Sequence, residues 1–112
     1  MNHSYEEIGQ LCVTFPAEGC TAGQVCTMGA DGKVTASADG DRICGLVCST
    51  GKEQASVQIG GFIRVPCSGT LPGAGWVNLK ADGKGGVKKD AAGAAYLAVR
   101  ADEGDSSLTL YL

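Results

Sequence analysis

The chain has 112 residues, 44% of them hydrophobic and 19% charged, with a formal net charge of −3. That much apolar side chain at modest charge excludes a disordered polymer, and the acid excess excludes a surface built to track nucleic-acid phosphates. Eighteen glycines without a period of three exclude collagen, and no apolar run approaches the roughly 20 residues that cross a bilayer as a helix.

The first residues, Met1-Asn2-His3-Ser4-Tyr5-Glu6-Glu7, are polar and acidic with no apolar stretch behind them. They carry no secretory signature, so folding in the cytosol is the expectation. Residues 1–9 read as an extended N-terminal arm and 10–112 as a single β domain. A first strand is expected over Gln10–Phe15, stopped by Pro16. Gln24–Met28 and Lys33–Ser37 alternate apolar and polar residues around Asp31-Gly32, a two-residue hairpin turn in which glycine supplies the positive φ. Asp39-Gly40-Asp41 forms a loop. Arg42–Cys48 follows as an apolar strand, with Gly45 the candidate for a bulge. Ser49-Thr50-Gly51-Lys52 turns the chain.

The longest strand signal runs over Gln54–Val65, and Gly60-Gly61 within it is expected to bend the strand around a barrel corner. Ser68–Gly73 is a loop leading into a strand over Trp76–Lys80, and Asp82-Gly83 turns it back. Asp90–Glu103 is rich in alanine, the best helix former, so a helix competes there. Gly93 and the run Tyr96-Leu97-Ala98-Val99 favour a strand. Ser107–Leu112 ends the chain, with Leu108, Leu110 and Leu112 on one face and Thr109 and Tyr111 on the other.

The same pattern occurs twice, about fifty residues apart: glycine, short strand, Ala-Asp-Gly-Lys turn, polar return, apolar strand. The first copy spans residues 21–47 and the second residues 72–99. Eight to ten short strands with tight glycine turns predict an all-β fold, a small β-barrel or β-sandwich with an internal pseudo-repeat.

Six cysteines, Cys12, Cys20, Cys26, Cys44, Cys48 and Cys67, contain no Cys-x-x-Cys pair, and the only histidine is His3. Most lie in strand-like runs. Reduced core thiols are the favoured reading, disulfides the next, and a four-cysteine metal site the last. No metal or cofactor is expected. One histidine in a terminal arm gives no base for nucleophilic catalysis, so no catalytic residue is proposed. The carboxylates of Glu6-Glu7 and Asp102-Glu103-Gly104-Asp105 sit among glycine and serine, as solvated turn charges do. Lys33 and Lys84 at the hairpin tips resemble the modified lysines of lipoyl or biotinyl carriers only superficially, because any tight hairpin can carry them.

Lys80, Lys84, Lys88 and Lys89 fall within ten residues. They read first as a solvated hairpin and second as a basic patch that steers the chain to an acidic surface. Trp76, the single tryptophan, reads as a core plug ahead of an interface anchor.

Several segments together resemble the small capsid cement, or head-decoration, proteins of tailed phages. They are Ile8-Gly9-Gln10-Leu11-Cys12-Val13-Thr14, Ala22-Gly23-Gln24-Val25, Gly45-Leu46-Val47 and Val57-Gln58-Ile59-Gly60-Gly61-Phe62, with Tyr96-Leu97-Ala98-Val99-Arg100 and Leu108-Thr109-Leu110-Tyr111-Leu112 at the end. The resemblance covers nearly the whole chain as a pattern of glycines and strands. It implies a non-enzymatic structural protein on the virion, assembled in a bacterial cytoplasm. Such a protein binds the major capsid protein on the outside of the head, often as a homo-oligomeric trimer, and stabilises the shell. Six cysteines depart from that family's pattern. The partner-binding residues this reading selects are Tyr5, Glu6, Glu7 and Ile8 in the arm and Lys84, Lys88 and Lys89 in the basic hairpin. Neither nucleic acid nor membrane is an expected partner. The alternative is a secreted, disulfide-bonded β domain that binds cell surfaces or carbohydrate.

Overall fold

The computed structural model describes residues 11–112, so the expected arm over 1–9, with Tyr5, Glu6, Glu7 and Ile8, lies outside the described residues. The described chain forms ten strands and no helix: β1 Leu11–Glu18, β2 Val25–Met28, β3 Val34–Ala36, β4 Gly45–Gly51, β5 Gln54–Gly60, β6 Phe62–Ser68, β7 Gly75–Ala81, β8 Val87–Lys89, β9 Ala94–Asp102 and β10 Ser107–Tyr111. They close into two barrels, with strand orders β1-β3-β2-β4-β5 and β10-β6-β8-β7-β9. The all-β reading therefore holds, and the alanine-rich segment is strand β9 rather than helix.

The repeat is larger than the hairpin visible in the sequence. It is an entire five-stranded barrel, and the strand pairings match in order and direction. The parallel pairing Ala17↔Val34 in β1/β3 returns as Cys67↔Val87 in β6/β8. Every other contact is antiparallel in both halves. One irregularity recurs, the β4/β5 shift between Val47 and Ser49 returning as the β9/β10 shift between Thr109 and Leu110, whereas the β1/β5 shift between Leu11 and Cys12 has no counterpart in β6/β10.

Proline does not end the first strand. β1 pairs with β5 as far as Pro16 and with β3 from Ala17 onward. Pro66 stands at the same changeover in β6, between partners β10 and β8. A residue without an N–H is tolerated where a strand exchanges one neighbour for another.

The run 54–65 is also not one bent strand. β5 stops at Gly60, and Gly61, at φ 87°, hands the chain to β6 in the other barrel. The Leu112 N–H donates to the Gly61 carbonyl at 2.9 Å and ties the chain's end to this crossing. Gly45 opens β4 instead of bulging it, and the register shift falls at Cys48. A Cβ on Gly45 would lie 2.4 Å from the Gln58 carbonyl oxygen, so glycine is required there by close approach of β5. The expected turn at 49–52 comes later, because β4 continues to Gly51 and Glu53 takes the left-handed conformation at φ 58°.

Period-two alternation fills each barrel. Cys26, Val34, Val47, Ala55 and Val57 are buried in the first. Ile63, Val65, Cys67, Leu79, Ala81, Val87, Tyr96, Ala98, Leu108 and Leu110 are buried in the second. Val25 and Ile43 belong by sequence to the first half yet pack in the second cluster, so one apolar contact network joins the barrels. The radius of gyration, 13.3 Å, is that of a single globule of this length, about 13 Å.

All six cysteines are free. Only Cys26 and Cys67 are buried, whereas Cys12 and Cys48 are exposed and Cys20 and Cys44 half-buried, so the core-thiol reading covers part of the set. Cys12 alternates with the inward Val13, and Cys48 sits at the register shift, which turns both to the outer surface.

Candidate interaction surface

The second barrel carries a transverse apolar row on its outside. Trp76 stands opposite Leu97, Leu97 opposite Tyr111, and Tyr111 opposite Phe62, so four neighbouring strands contribute one residue each. Their neighbours in sequence, Val77, Tyr96, Ala98, Leu110 and Ile63, pack toward the barrel core, which is why alternation sends the row outward. Trp76 is 75% exposed and Tyr111 47%. Trp76 is therefore not the core plug the sequence favoured. Its outward register was legible, since Val77 and Leu79 take the inward positions of β7. Phe62 packs against Tyr111 edge to face, with ring centroids 5.2 Å apart. At the strand spacing of about 4.8 Å, the row crosses roughly 14 Å of surface.

The first barrel has the same row in the same register, Val25–Leu46–Gln58–Cys12. There it is covered from Val25 to Gln58, and only Cys12 at its end is exposed. Val25 is 1% exposed and Gln58 7%. The Val25 N–H donates to the Gly85 carbonyl at 3.0 Å, and the Gln58 amide donates to the Phe62 and Gly60 carbonyls at 2.8 and 3.1 Å. Leu46 lines a groove of about 440 Å3 between the barrels, together with Gln58, Arg64 and Thr109.

Half of the basic hairpin's charge is compensated. Lys84 lies in the β7–β8 turn and Lys88 and Lys89 on β8. Lys88 is ion-paired with Asp39, and Lys80 lies 3.9 Å from Asp90. Lys84 and Lys89 extend into solvent. Three of the four cations thus share one sheet with the row without joining it.

The carboxylates hold turns. Asp82 accepts from the Ser68 hydroxyl, from the Lys84 N–H at 2.7 Å and from the Gly86 N–H at 3.1 Å. Burial would raise its pKa, but these donors and the Lys84 charge outweigh burial and hold the carboxyl below its ordinary value. Asp102 accepts from the Gly104 N–H at 3.0 Å and pairs with Arg64 at 3.3 Å, and Asp105 also pairs with Arg64. Among the described residues no group of three or more histidine, cysteine, aspartate or glutamate side chains is placed to hold a metal ion.

The sulfur chemistry was not resolved by the sequence. The Cys12 and Cys48 sulfurs lie 4.0 Å apart on the outer surface of the first barrel, and those of Cys26 and Cys44 lie 3.7 Å apart. The hydrogen bond within the second pair pushes the Cys26 thiol up and brings Cys44 down to about 7, so Cys44 ionises first. The cysteine spacings give no hint of either pair, because both pairings depend on strand order.

No protein family, curated protein or solved structure matches this chain.

Proposed function

We propose that this chain is a non-enzymatic structural protein that binds the outer surface of a phage head, contacts the major capsid protein, self-associates and stabilises the shell. The observation that carries this reading is the Trp76–Leu97–Tyr111 row, an aromatic surface held on a rigid barrel. Exposed aromatic residues contribute strongly at protein interfaces and little to a monomer's stability. The resemblance of the glycine and strand pattern to capsid cement proteins supplies the partner class. Further support comes from the acidic side chains: Asp82, Asp90 and Asp102 each accept hydrogen bonds from the backbone N–H groups of their own turns. Repeated copies on a lattice let a modest interface per copy suffice.

The test is co-sedimentation with capsids purified from the encoding host's phage and stripped of this chain. Saturable pelleting at a fixed ratio per capsid subunit is expected, weakened by Trp76→Asp. A chain that stays in the supernatant at every concentration refutes the reading.

The second reading, a disulfide-bonded surface binder, is favoured by the two close sulfur pairs and by an aromatic row on which sugar rings could stack. A free-thiol count on unfolded protein from its native source separates the two. Six free thiols oppose the disulfide form, and two free thiols support it.

A further inference from the structure

We infer that the Trp76 row binds a second copy of this chain head to tail, in the way the second barrel already covers the first barrel of its own chain. This deepens the self-association part of the proposed function and rests on that part alone; the capsid contact is separate.

The two barrels share one strand order and one pattern of pairings, with β7 two residues longer than β2 between row and turn. Row positions are therefore matched through the β2/β4 and β7/β9 ladders, and turn positions through the β2/β3 and β7/β8 ladders. Val25 corresponds to Trp76, Leu46 to Leu97, and Gln58 to Tyr111. On the first barrel this row is covered by the second, which presents its β7–β8 turn: Gly85 accepts from the Val25 N–H and lies against the Gln24 side chain. Ala81, at the base of that turn, exchanges backbone hydrogen bonds with the 40–41 loop, its N–H donating to Asp41 and its carbonyl accepting from Gly40, both at 2.9 Å. The fold therefore contains one complete instance of barrel-on-row packing.

The packing is not reciprocal. Val25 is 1% exposed and Trp76, its equivalent, 75%. A pseudo-twofold arrangement would have covered both rows or neither. An unreciprocated contact leaves one surface unused at each end of the chain. At one end the open row has been built up from Val25 and Gln58 to Trp76 and Tyr111. At the other the first barrel's β2–β3 turn is the counterpart of the covering β7–β8 turn. Its residue equivalent to Ala81 is Met28, by the pairings Met28↔Val34 and Ala81↔Val87. Ala81 is sealed, while Met28 is an exposed large apolar side chain. Both halves of a further barrel-on-row contact are thus present on each chain and exposed. A heterologous contact of this kind closes into a ring when its rotation permits and otherwise extends as a filament.

The experiment uses the full chain with Trp76→Asp, which breaks the row, and Met28→Asp, which breaks the turn surface; Ala30→Glu on the same turn serves if Met28→Asp lowers the melting temperature. Molar mass is read by light scattering under reducing conditions. Wild type is expected above the 11.3 kDa monomer, and each variant alone at the monomer mass. An equimolar mixture of the two variants should give a dimer of one copy of each, because one intact row then meets one intact turn. A mixture that remains monomeric shows a self-facing interface and overturns the inference, as does an oligomer that Trp76→Asp leaves unchanged. Wild type that is monomeric from micromolar to millimolar concentration also overturns it, whatever capsid co-sedimentation shows. Failure of capsid binding with an intact head-to-tail oligomer would instead remove the capsid and keep the interface.

Discussion

Replacing Gly45 with alanine tests the close packing that starts the fourth strand. The new Cβ would lie 2.4 Å from the Gln58 carbonyl oxygen and 2.7 Å from the Val57 Cγ1. Carbon and carbonyl oxygen ordinarily approach to about 3.3 Å, so β4 and β5 must separate by about 0.9 Å at a point where the barrel is closed. The obstructing oxygen is backbone and cannot rotate away. Overpacking in such a place costs about 3 kcal/mol, and the loss of unfolded-chain freedom on replacing glycine returns about 0.4–1 kcal/mol. A net loss of about 2 kcal/mol follows, which lowers the melting temperature of a domain of this size by about 10 °C. The control is Gly73→Ala, where no atom lies within 4 Å of the added carbon and φ is ordinary. That variant should melt at the wild-type temperature or slightly above. Thermal unfolding followed by circular dichroism measures both. The reasoning fails if Gly45→Ala melts within about 2 °C of wild type, or if the two variants fall together.

Three further outcomes are expected. Asp82→Ala removes three hydrogen bonds to a charged acceptor and should cost about 2 kcal/mol in urea titrations at neutral pH. Because the folded pKa lies below the unfolded value of 3.8, the carboxylate's contribution is fully present above 3.8 and is lost as pH falls through the folded value, so variant and wild type should converge in acid; a constant gap refutes the assignment. Cys44 should be the first thiol to react with iodoacetamide, with a rate that rises through a pH of about 7 and is abolished by Cys44→Ser. A disulfide donor should then link it to Cys26, releasing two equivalents of the donor's thiol; mapping by mass spectrometry that finds Cys44 unreacted overturns this. Leu110→Ala and Val57→Ala, one in each barrel, should each lower one shared unfolding transition, by about 2–5 kcal/mol for the leucine, because Val25 and Ile43 join the two cores; separate melting of the halves would show that they do not.

Much of the architecture is visible in the sequence, because short strands advertise themselves by alternation and glycine turns. Leu108 and Leu110 set the inward face of β10, and Leu112 just beyond it packs against the same core. What local pattern cannot carry is partner choice. Pro16 looks like a strand end until β1 is seen to change neighbours beside it. Gly60-Gly61 looks like a bend until the strands on either side are assigned to different barrels. Both errors have one cause, that an exchange of partners leaves the same residues as a stop or a corner. The sulfur pairs were hidden for a related reason: Cys12 and Cys48 are 36 residues apart and meet only because β1 and β4 both flank β5. Trp76 was misjudged differently. Scarcity of aromatics argued for the core, while the alternation of Val77 and Leu79 argued for the surface, and register decided.

The two barrels also separate what the fold needs from what it does not. At equivalent inward positions both halves keep small or branched apolar residues, Val34 with Val87, Val47 with Ala98 and Val57 with Leu110, since each must fill a narrow closed barrel. At equivalent outward positions they diverge as their surroundings do. Where the first barrel meets the second, valine and glutamine suffice, the glutamine amide being held by two backbone carbonyls. Where none of the described residues covers the row, tryptophan and tyrosine replace them. An exposed tryptophan adds nothing to the core and raises the hazard of nonspecific association. The proposed head-to-tail contact would give that tryptophan an occupant on the uncovered row, as the second barrel gives Val25 one on the covered row.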